Sequence, residues 1–402
     1  MRPGSSSRMC SATSGCTLTT RRRSCFSLCH TLLSRPVASR DRVLTAGEVE
    51  RIEVARGPQG TLFGRNASAG LIHIITRRPE FEFGGMAELT YGNYDHVRAQ
   101  AAVTGPIGEG LAFRLDGVYV RRDGFYDVVN AAGGTESDVN DRNRILGRGQ
   151  LLYEPSDALS VRFIADYSTR DESCCGAVYV ETRETFDPTP AVLGDFAYRP
   201  PGAGGSPTGN RIVDVLQSLG GFIPSAGDPF NRDIAITPGT TYEGETTDWG
   251  VSLHLDYDFG AATLTSITAY RDYINYFPSD TDYTNVDILR RNDDDNAFRE
   301  FRTFTQEVRL QGSVGGFLDW LIGGYFANED LHVRDNLNFG SQYGAFAACR
   351  LIATINPNPA LRNPASPGCL SAAGRAILTG ALPGTTPAFG AATPLIIGGI
   401  DR

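Results

Sequence analysis

From Gly85 to about residue 330, apolar side chains recur at every second position in segments of about ten residues, each bounded by turn-forming residues. Period-two alternation places successive side chains on opposite faces of an extended chain, so each segment carries one apolar and one polar face. Trp249, Val251, Leu253, Leu255 and Tyr257 share one face, with Asp248, Ser252, His254 and Asp256 on the other. Leu159, Val161, Phe163, Ala165 and Tyr167 stand against Ser160, Arg162 and Asp166. Leu111, Phe113, Leu115 and Tyr119 stand against Arg114 and Asp116, and Leu318, Trp320, Ile322 and Phe326 against Asp319. The spacing predicts strands over 85–92, 95–104, 111–122, 142–153, 158–170, 246–257, 262–276, 301–312 and 318–330. Tight connections such as Gly105-Pro106-Ile107-Gly108, Glu154-Pro155-Ser156-Asp157 and Tyr257-Asp258-Phe259-Gly260 alternate with long ones near 123–141, 171–245, 277–300 and from 331 onward. Short turns at one end, long loops at the other and aromatic residues at segment ends are the pattern of a transmembrane β-barrel.

Composition removes several alternatives. No window approaches the roughly 18 continuous apolar residues of a membrane helix. A net charge of -9 argues against a general nucleic-acid binder, so no nucleic acid is expected as a partner. The chain has no lysine, and all 37 basic residues are arginine, a bias that points to a GC-rich gene rather than to binding chemistry. The 8 cysteines and 5 histidines lack zinc-ligand spacing, and no Ser/His/Asp or Cys/His set stands out. Neither a metal, nor a cofactor, nor catalysis is expected. Cys349 and Cys369 are candidates for a disulfide closing one long loop, whereas the adjacent Cys174 and Cys175 are expected to be free or paired elsewhere.

A different pattern precedes the wall. Val49 to Val54 alternates as a half-buried strand, Leu71 to Thr76 is a short β-branched run, and Gly57, Pro58, Gly60 and Gly64 punctuate the loop between them. The two strands are expected to pair across that loop. The run Val49-Glu50-Arg51-Ile52-Glu53-Val54-Ala55-Arg56-Gly57-Pro58-Gln59-Gly60-Thr61-Leu62-Phe63-Gly64-Arg65-Asn66-Ala67-Ser68-Ala69-Gly70, closed by Leu71-Ile72-His73-Ile74-Ile75-Thr76-Arg77-Arg78-Pro79, resembles the C-terminal half of the plug domain of TonB-dependent outer-membrane receptors. Phe304-Thr305-Gln306-Glu307-Val308-Arg309-Leu310 is a second segment similar to that family. The resemblance implies a mainly β fold in which the C-terminal part of a plug domain is followed by the first antiparallel strands of a barrel of roughly 22 strands. It divides the chain into 1–45, an aberrant or unstructured segment, 46–83, the plug part, and 84–402, the barrel part with long extracellular loops. It also implies that Arg56, Gly57, Pro58, Gln59, Gly60, Gly64, Arg65 and Asn66 belong to the part of the plug that fits the lumen, with arginines facing wall carboxylates. His73 stands where the family usually has asparagine, a change expected to reflect drift at a packed strand position. A phosphate-cradling loop is ruled out, because no Gly-x-x-x-x-Gly-Lys motif is present.

The segment from Met1 to Arg40 has no acidic residue and no strand or helix period. It reads either as a targeting peptide, with Arg21-Arg22-Arg23 before a weakly apolar stretch, or as translation in a wrong frame or from a wrong start. The signal peptide, TonB box and early plug that the resemblance implies do not precede Val49, so this chain itself is not expected to be transport-competent. Nine strands do not close an even-stranded barrel, and two open edges in lipid would strand roughly ten backbone groups at several kcal/mol each.

Ligand contacts are expected from the outer loops. Asp280, Asp282, Tyr283, Asp293, Asp294 and Asp295 form a candidate ligand loop, suited to calcium or a ferric chelate, although a solvated acidic loop is the favoured reading of the same residues. The resemblance implies, for the intact parent, active uptake of a ferric siderophore or similar scarce solute, with outer-membrane lipid, the TonB complex and a small-molecule chelate as partners. A passive channel or adhesin-type barrel is the alternative, and a soluble β-rich glycosidase with paired carboxylates is a more distant one.

Overall fold

The computed structural model describes residues 49–58, 69–130, 132, 134–179, 212–224, 230–315, 317–347, 349 and 370–371. They fall into two compact units, one holding Glu50–Thr76 and the other the residues from Arg77 onward.

In the first unit β1 (Val49–Arg56) and β2 (Gly70–Thr76) form a two-stranded sheet, as their alternation predicts. Gly70 sits at a φ of +141°, and a Cβ there would lie 2.7 Å from the Ala55 carbonyl oxygen, so only glycine permits this approach of the two strands. His73 is not at a packed position: its side chain is half exposed, with Nδ1 3.6 Å from Glu53 Oε2 on the neighbouring strand. An exposed imidazole beside a carboxylate is stable here without burial.

The second unit is built on a nine-stranded antiparallel sheet. Its strands are β3 (Gly84–Gly92), β4 (His96–Gly108), β5 (Leu111–Arg122), β8 (Arg142–Ser156), β9 (Leu159–Ser173), β11 (Glu243–Asp258), β12 (Ala262–Tyr276), β15 (Phe298–Val314) and β16 (Leu318–Arg334). They follow one another in chain order, each hydrogen-bonded to the next, with β3 and β16 at the two edges. All the strands that the alternation predicts are present; β9, β11, β15 and β16 run three or four residues further at the long-loop end, whereas β4 and β8 continue through Gly105–Gly108 and Glu154–Ser156, expected as turns, and the chain turns instead at 109–110 and 157–158. β15 and β16 are each 17 residues long, well beyond the ~9–11 needed to cross a bilayer, so their far ends project from it.

The register makes the two faces explicit. Gly149, Ala165 and Val251 lie in one cross-strand row, and Leu151, Phe163 and Leu253 in the next. This face leaves Leu89 75%, Ile145 50%, Tyr167 52% and Ile322 69% exposed, an apolar surface that only lipid covers at low cost. Glycine and alanine on the same face keep the outline shallow. The opposite face buries Gln100, Thr104, Arg114, Asp116, Arg148 and Gln150, and so presents hydrogen-bonding groups toward the lumen.

The connections at the other end are more ordered than loops. In the described parts they contain β6 (Tyr126–Val129), β7 (Thr135–Val139), β10 (Asp233–Ile234), β13 (Ser279–Asp280), β14 (Leu289–Arg291) and β17 (Leu337–Phe339), together with helix α1 (Ile212–Ser218). These strands form two small sheets, ordered β10-β6-β7 and β13-β14-β17. Val128, Val139, Ile234 and Tyr242 make one apolar core, and Leu216, Ile223, Val286 and Ile288 another. Strands of two to five residues are too short to show a period in the sequence, and two of the pairings, β10 with β6 and β14 with β17, join segments far apart in the chain. Together they form a packed cap above the wall. Leu216 is fully buried, so Leu216→Ala is expected to destabilise the cap by about 2–5 kcal/mol. Thermal unfolding followed at loop-specific fluorescent labels, with a wall label as control, measures this loss.

Candidate functional site

The lumen-facing side of the wall carries a cross-strand row of Asp116, Arg148, Asp166, Gly250 and Arg271. Side chains directly opposite on adjacent strands are close enough to pair. Arg148 Nη2 lies 3.7 Å from Asp166 Oδ1, and Arg271 Nη2 reaches across β11 to Asp166 Oδ2 at 3.0 Å. The other nitrogen of the Arg271 fork, Nη1, holds Asp248. Arg271 therefore bridges two nearly buried carboxylates. Its reach depends on Gly250, which stands between it and Asp166: a Cβ at 250 would come within 3.0 Å of Arg271 Nη2. Further along, Arg114 forks onto Asp116 with Nη2 at 2.8 Å, and Arg144 forks onto Glu172.

The chain entering this wall from the first unit is held by the same face. Gln150 Nε2 and Arg162 Nη2 donate to the Arg77 carbonyl at 3.2 and 3.3 Å. Arg78 Nη2 donates to Ser160 Oγ, and Thr104 Oγ accepts the Glu80 N–H at 2.8 Å. Residues 77–80 are thus fastened to β4, β8 and β9.

Of the residues assigned to the plug loop, Arg56, Gly57 and Pro58 are described, and Gly57 takes a φ of +82°, in the left-handed region that favours glycine. Gln59, Gly60, Gly64, Arg65 and Asn66 lie outside the described residues.

The candidate ligand loop divides in two. Asp293, Asp294 and Asp295 form an exposed turn, where Asp294 Oδ1 accepts the Asn296 N–H at 3.1 Å. Asp280, Asp282 and Tyr283 are inside the cap. Asp280 is 2% and Asp282 9% exposed, and Tyr283 is half-buried against Tyr242, their rings stacked 6.0 Å apart. Asp280 Oδ2 accepts the Thr237 N–H at 2.7 Å and Oδ1 the Asp282 N–H at 3.2 Å. Asp282 Oδ1 accepts the Thr284 N–H at 3.0 Å and the Thr284 hydroxyl. Each side chain thus turns the backbone two residues on. Burial, reinforced by the neighbouring Asp280 charge, pushes Asp282 up to about 8, and burial raises Asp280 as well. Burial also raises the phenols of Tyr179 and Tyr242. This part of the loop is a buried polar centre, not a solvated run of acids.

The cysteines differ from expectation. Cys174 and Cys175 are bonded to each other, with Cys175 at a φ of +88°, at the point where β9 ends. Asn140 holds this turn, its Oδ1 accepting the Cys175 N–H at 3.0 Å and its Nδ2 donating to the Gly176 carbonyl at 3.1 Å. The left-handed backbone and the asparagine bracket accommodate the bond between neighbours. Cys349 is also disulfide-bonded, and Cys369 lies outside the described residues.

No family model matches the chain. Among curated proteins it is similar to the pesticin receptor of Yersinia pestis, 30% identical over 122 residues, covering 30% of this chain and 18% of that receptor. It is 37% identical over 81 residues to the iron-regulated outer membrane virulence protein of Vibrio cholerae, covering 19% of this chain and 12% of the other. It is 40% identical over 72 residues to the ferrioxamine B receptor of Salmonella typhimurium, covering 17% of this chain and 10% of that protein. Among solved structures, the ferric yersiniabactin uptake receptor from Yersinia pestis aligns at a TM-score of 0.49 and 18% identity over 73% of this chain and 38% of its own. Over the matched segments the chain is similar to a class of proteins, the receptors of the bacterial outer membrane. More particularly, the chain resembles the TonB-dependent receptors for iron complexes over part of its length, and its matched segments span less than a fifth of the curated relatives.

Two substitutions probe the lumen network. Arg271→Gln leaves Asp166 and Asp248 without their shared cation and is expected to cost about 3–5 kcal/mol, read as a lower denaturation midpoint in detergent. Gly250→Ala should reproduce part of that loss by displacing the guanidinium, whereas Gly147→Ala, where a Cβ meets nothing within 4 Å, should be near neutral.

Proposed function

We propose that this chain is part of a TonB-dependent outer-membrane receptor whose intact form imports a ferric siderophore or a similarly large, scarce solute. Residues 46–83 are the C-terminal part of its plug and 84–402 the start of its barrel wall. The observation that carries the reading is the order of the parts: a glycine-rich hairpin motif, a fastened exit segment at residues 77–80, and then a sheet with one lipid-facing and one lumen-facing side. A passive channel needs no such hairpin. In this reading the arginines of the plug loop face the lumen wall, where carboxylates recur among the arginines, and the cap at the loop end receives ligand. The ligand is a chelate carried as cargo, the partners of the intact receptor are outer-membrane lipid and the TonB complex, and no chemistry is performed on the solute.

The test is uptake of radiolabelled ferric chelates by iron-starved cells carrying the receptor gene that contains this segment. Energy-dependent accumulation that stops when a protonophore is added is expected. Leakage of unrelated solutes that is indifferent to the protonophore would overturn the reading in favour of a passive pore.

A further inference from the structure

We propose that Asp280 and Asp282 share a single proton, and that this proton is a latch holding the outer-loop cap closed. The inference does not rest on the import reading, because it concerns only the interior of the cap.

The geometry supplies the reason. The two carboxyls are nearly buried and adjacent, Asp280 Oδ1 accepting the backbone N–H of Asp282 at 3.2 Å. Three of their four oxygens accept hydrogen bonds from Thr237, Asp282 and Thr284. The fourth, Asp282 Oδ2, is buried and has no partner. The other titratable groups facing the pair are Tyr179, Tyr242 and Tyr283, none of them cationic. Tyr179 donates its hydroxyl to the Asp282 carbonyl at 2.9 Å, and the Tyr242 hydroxyl is itself without a partner. The cations close in register are engaged elsewhere: Arg290, opposite Asp280 on β14, binds Asp287 and Asn292, and Arg291 binds Asp335. Two buried negative charges with no counter-ion among the described residues are far more costly than one, and a single proton removes the second charge. On Asp282 Oδ2 it also removes the charge from the one oxygen of the pair that accepts no hydrogen bond.

The pair sits where the loops meet. Thr237 N–H on Asp280, Thr237 Oγ on the Val286 carbonyl at 3.2 Å, and Ala235 N–H on the Tyr283 carbonyl at 3.3 Å tie the segment before β11 to the segment after β13. Tyr283 packs on the first apolar core of the cap and Val286 belongs to the second. Ionising both acids therefore places repulsion at the junction of the two cores. A carboxyl whose affinity for the proton is higher in the closed cap than in the open one stabilises closure fully below the ordinary carboxylate range. That contribution falls as pH rises toward about 8 and is gone above it.

Hydrogen exchange of the full chain in detergent micelles, compared at about pH 5 and about pH 9 after correction for intrinsic rates, reads the latch directly. Backbone protection around residues 235–242 and 280–288 should fall roughly tenfold or more at the higher pH while wall strands are unchanged. Asp282→Asn, which is neutral at both pH values, should abolish that difference. An infrared band of a protonated carboxylic acid, present in the wild type at about pH 7, where Asp141 has largely given up its proton, and lost in Asp282→Asn and Asp280→Asn, supports the shared proton independently of folding in either variant, because the wild-type band must be there. Protection indifferent to pH, absence of that band, or calcium chloride restoring protection to the wild type at high pH would overturn the proposal, the last by showing that a cation and not a proton neutralises the pair.

Discussion

A lipid-facing backbone has no water to bond, so every N–H and C=O that crosses the bilayer must find its partner in the protein. That requirement explains why nine successive strands are laid side by side in chain order, each hydrogen-bonded to the next. It also explains the division of the faces. Lipid tolerates apolar side chains at every second position, and the intervening positions are left to polar groups that must satisfy one another on the lumen side. The described edges, β3 and β16, are where this logic demands further strands.

The polar face meets its own constraint through shared counter-ions. Arg271 answers two carboxylates at once, and Gly250 exists in the row because any side chain there would occupy the path of the guanidinium. Residues 77–80 use the same face differently, hanging their backbone on Gln150, Arg162 and Thr104. The lumen wall is thus both an electrostatic surface and an anchor for the chain that enters it. In the cap Arg290 and Arg291 are taken by Asp287 and Asp335, and the Asp280 and Asp282 pair is left to a proton. The difference between wall and cap is one of counter-ion supply.

Legibility follows the length over which a physical pattern repeats. The wall strands repeat an alternation for nine to seventeen residues, so their positions could be read from the chain. The pairing of β1 with β2 was legible because two short β-branched runs flank a glycine-rich loop. The cap was not legible. β10 and β6 are only two and four residues long and pair in parallel across about a hundred residues of chain, and no local period records such a contact. Asp280, Asp282 and Asp293 to Asp295 look alike as acids in a row, but only the first two are turned inward, because the backbone between them closes onto Thr237 and Thr284. The disulfide between Cys174 and Cys175 was hidden for a similar reason: it depends on a left-handed backbone that Asn140, from another loop, holds in place.

The sequence by itself determined that this is a β-wall with one lipid face, that a glycine-punctuated hairpin precedes it, and that long connections lie at one end. Periodicity and turn chemistry act between neighbours, and neighbours are what a sequence displays. Only the tertiary structure decided that the long connections pack into a cap with two apolar cores, that Gly250 clears a path for Arg271, and that two of the loop acids are buried with no counter-ion among the described residues. Those outcomes depend on which distant residues arrive at the same place, and burial and charge pairing act on distance in space rather than on distance along the chain.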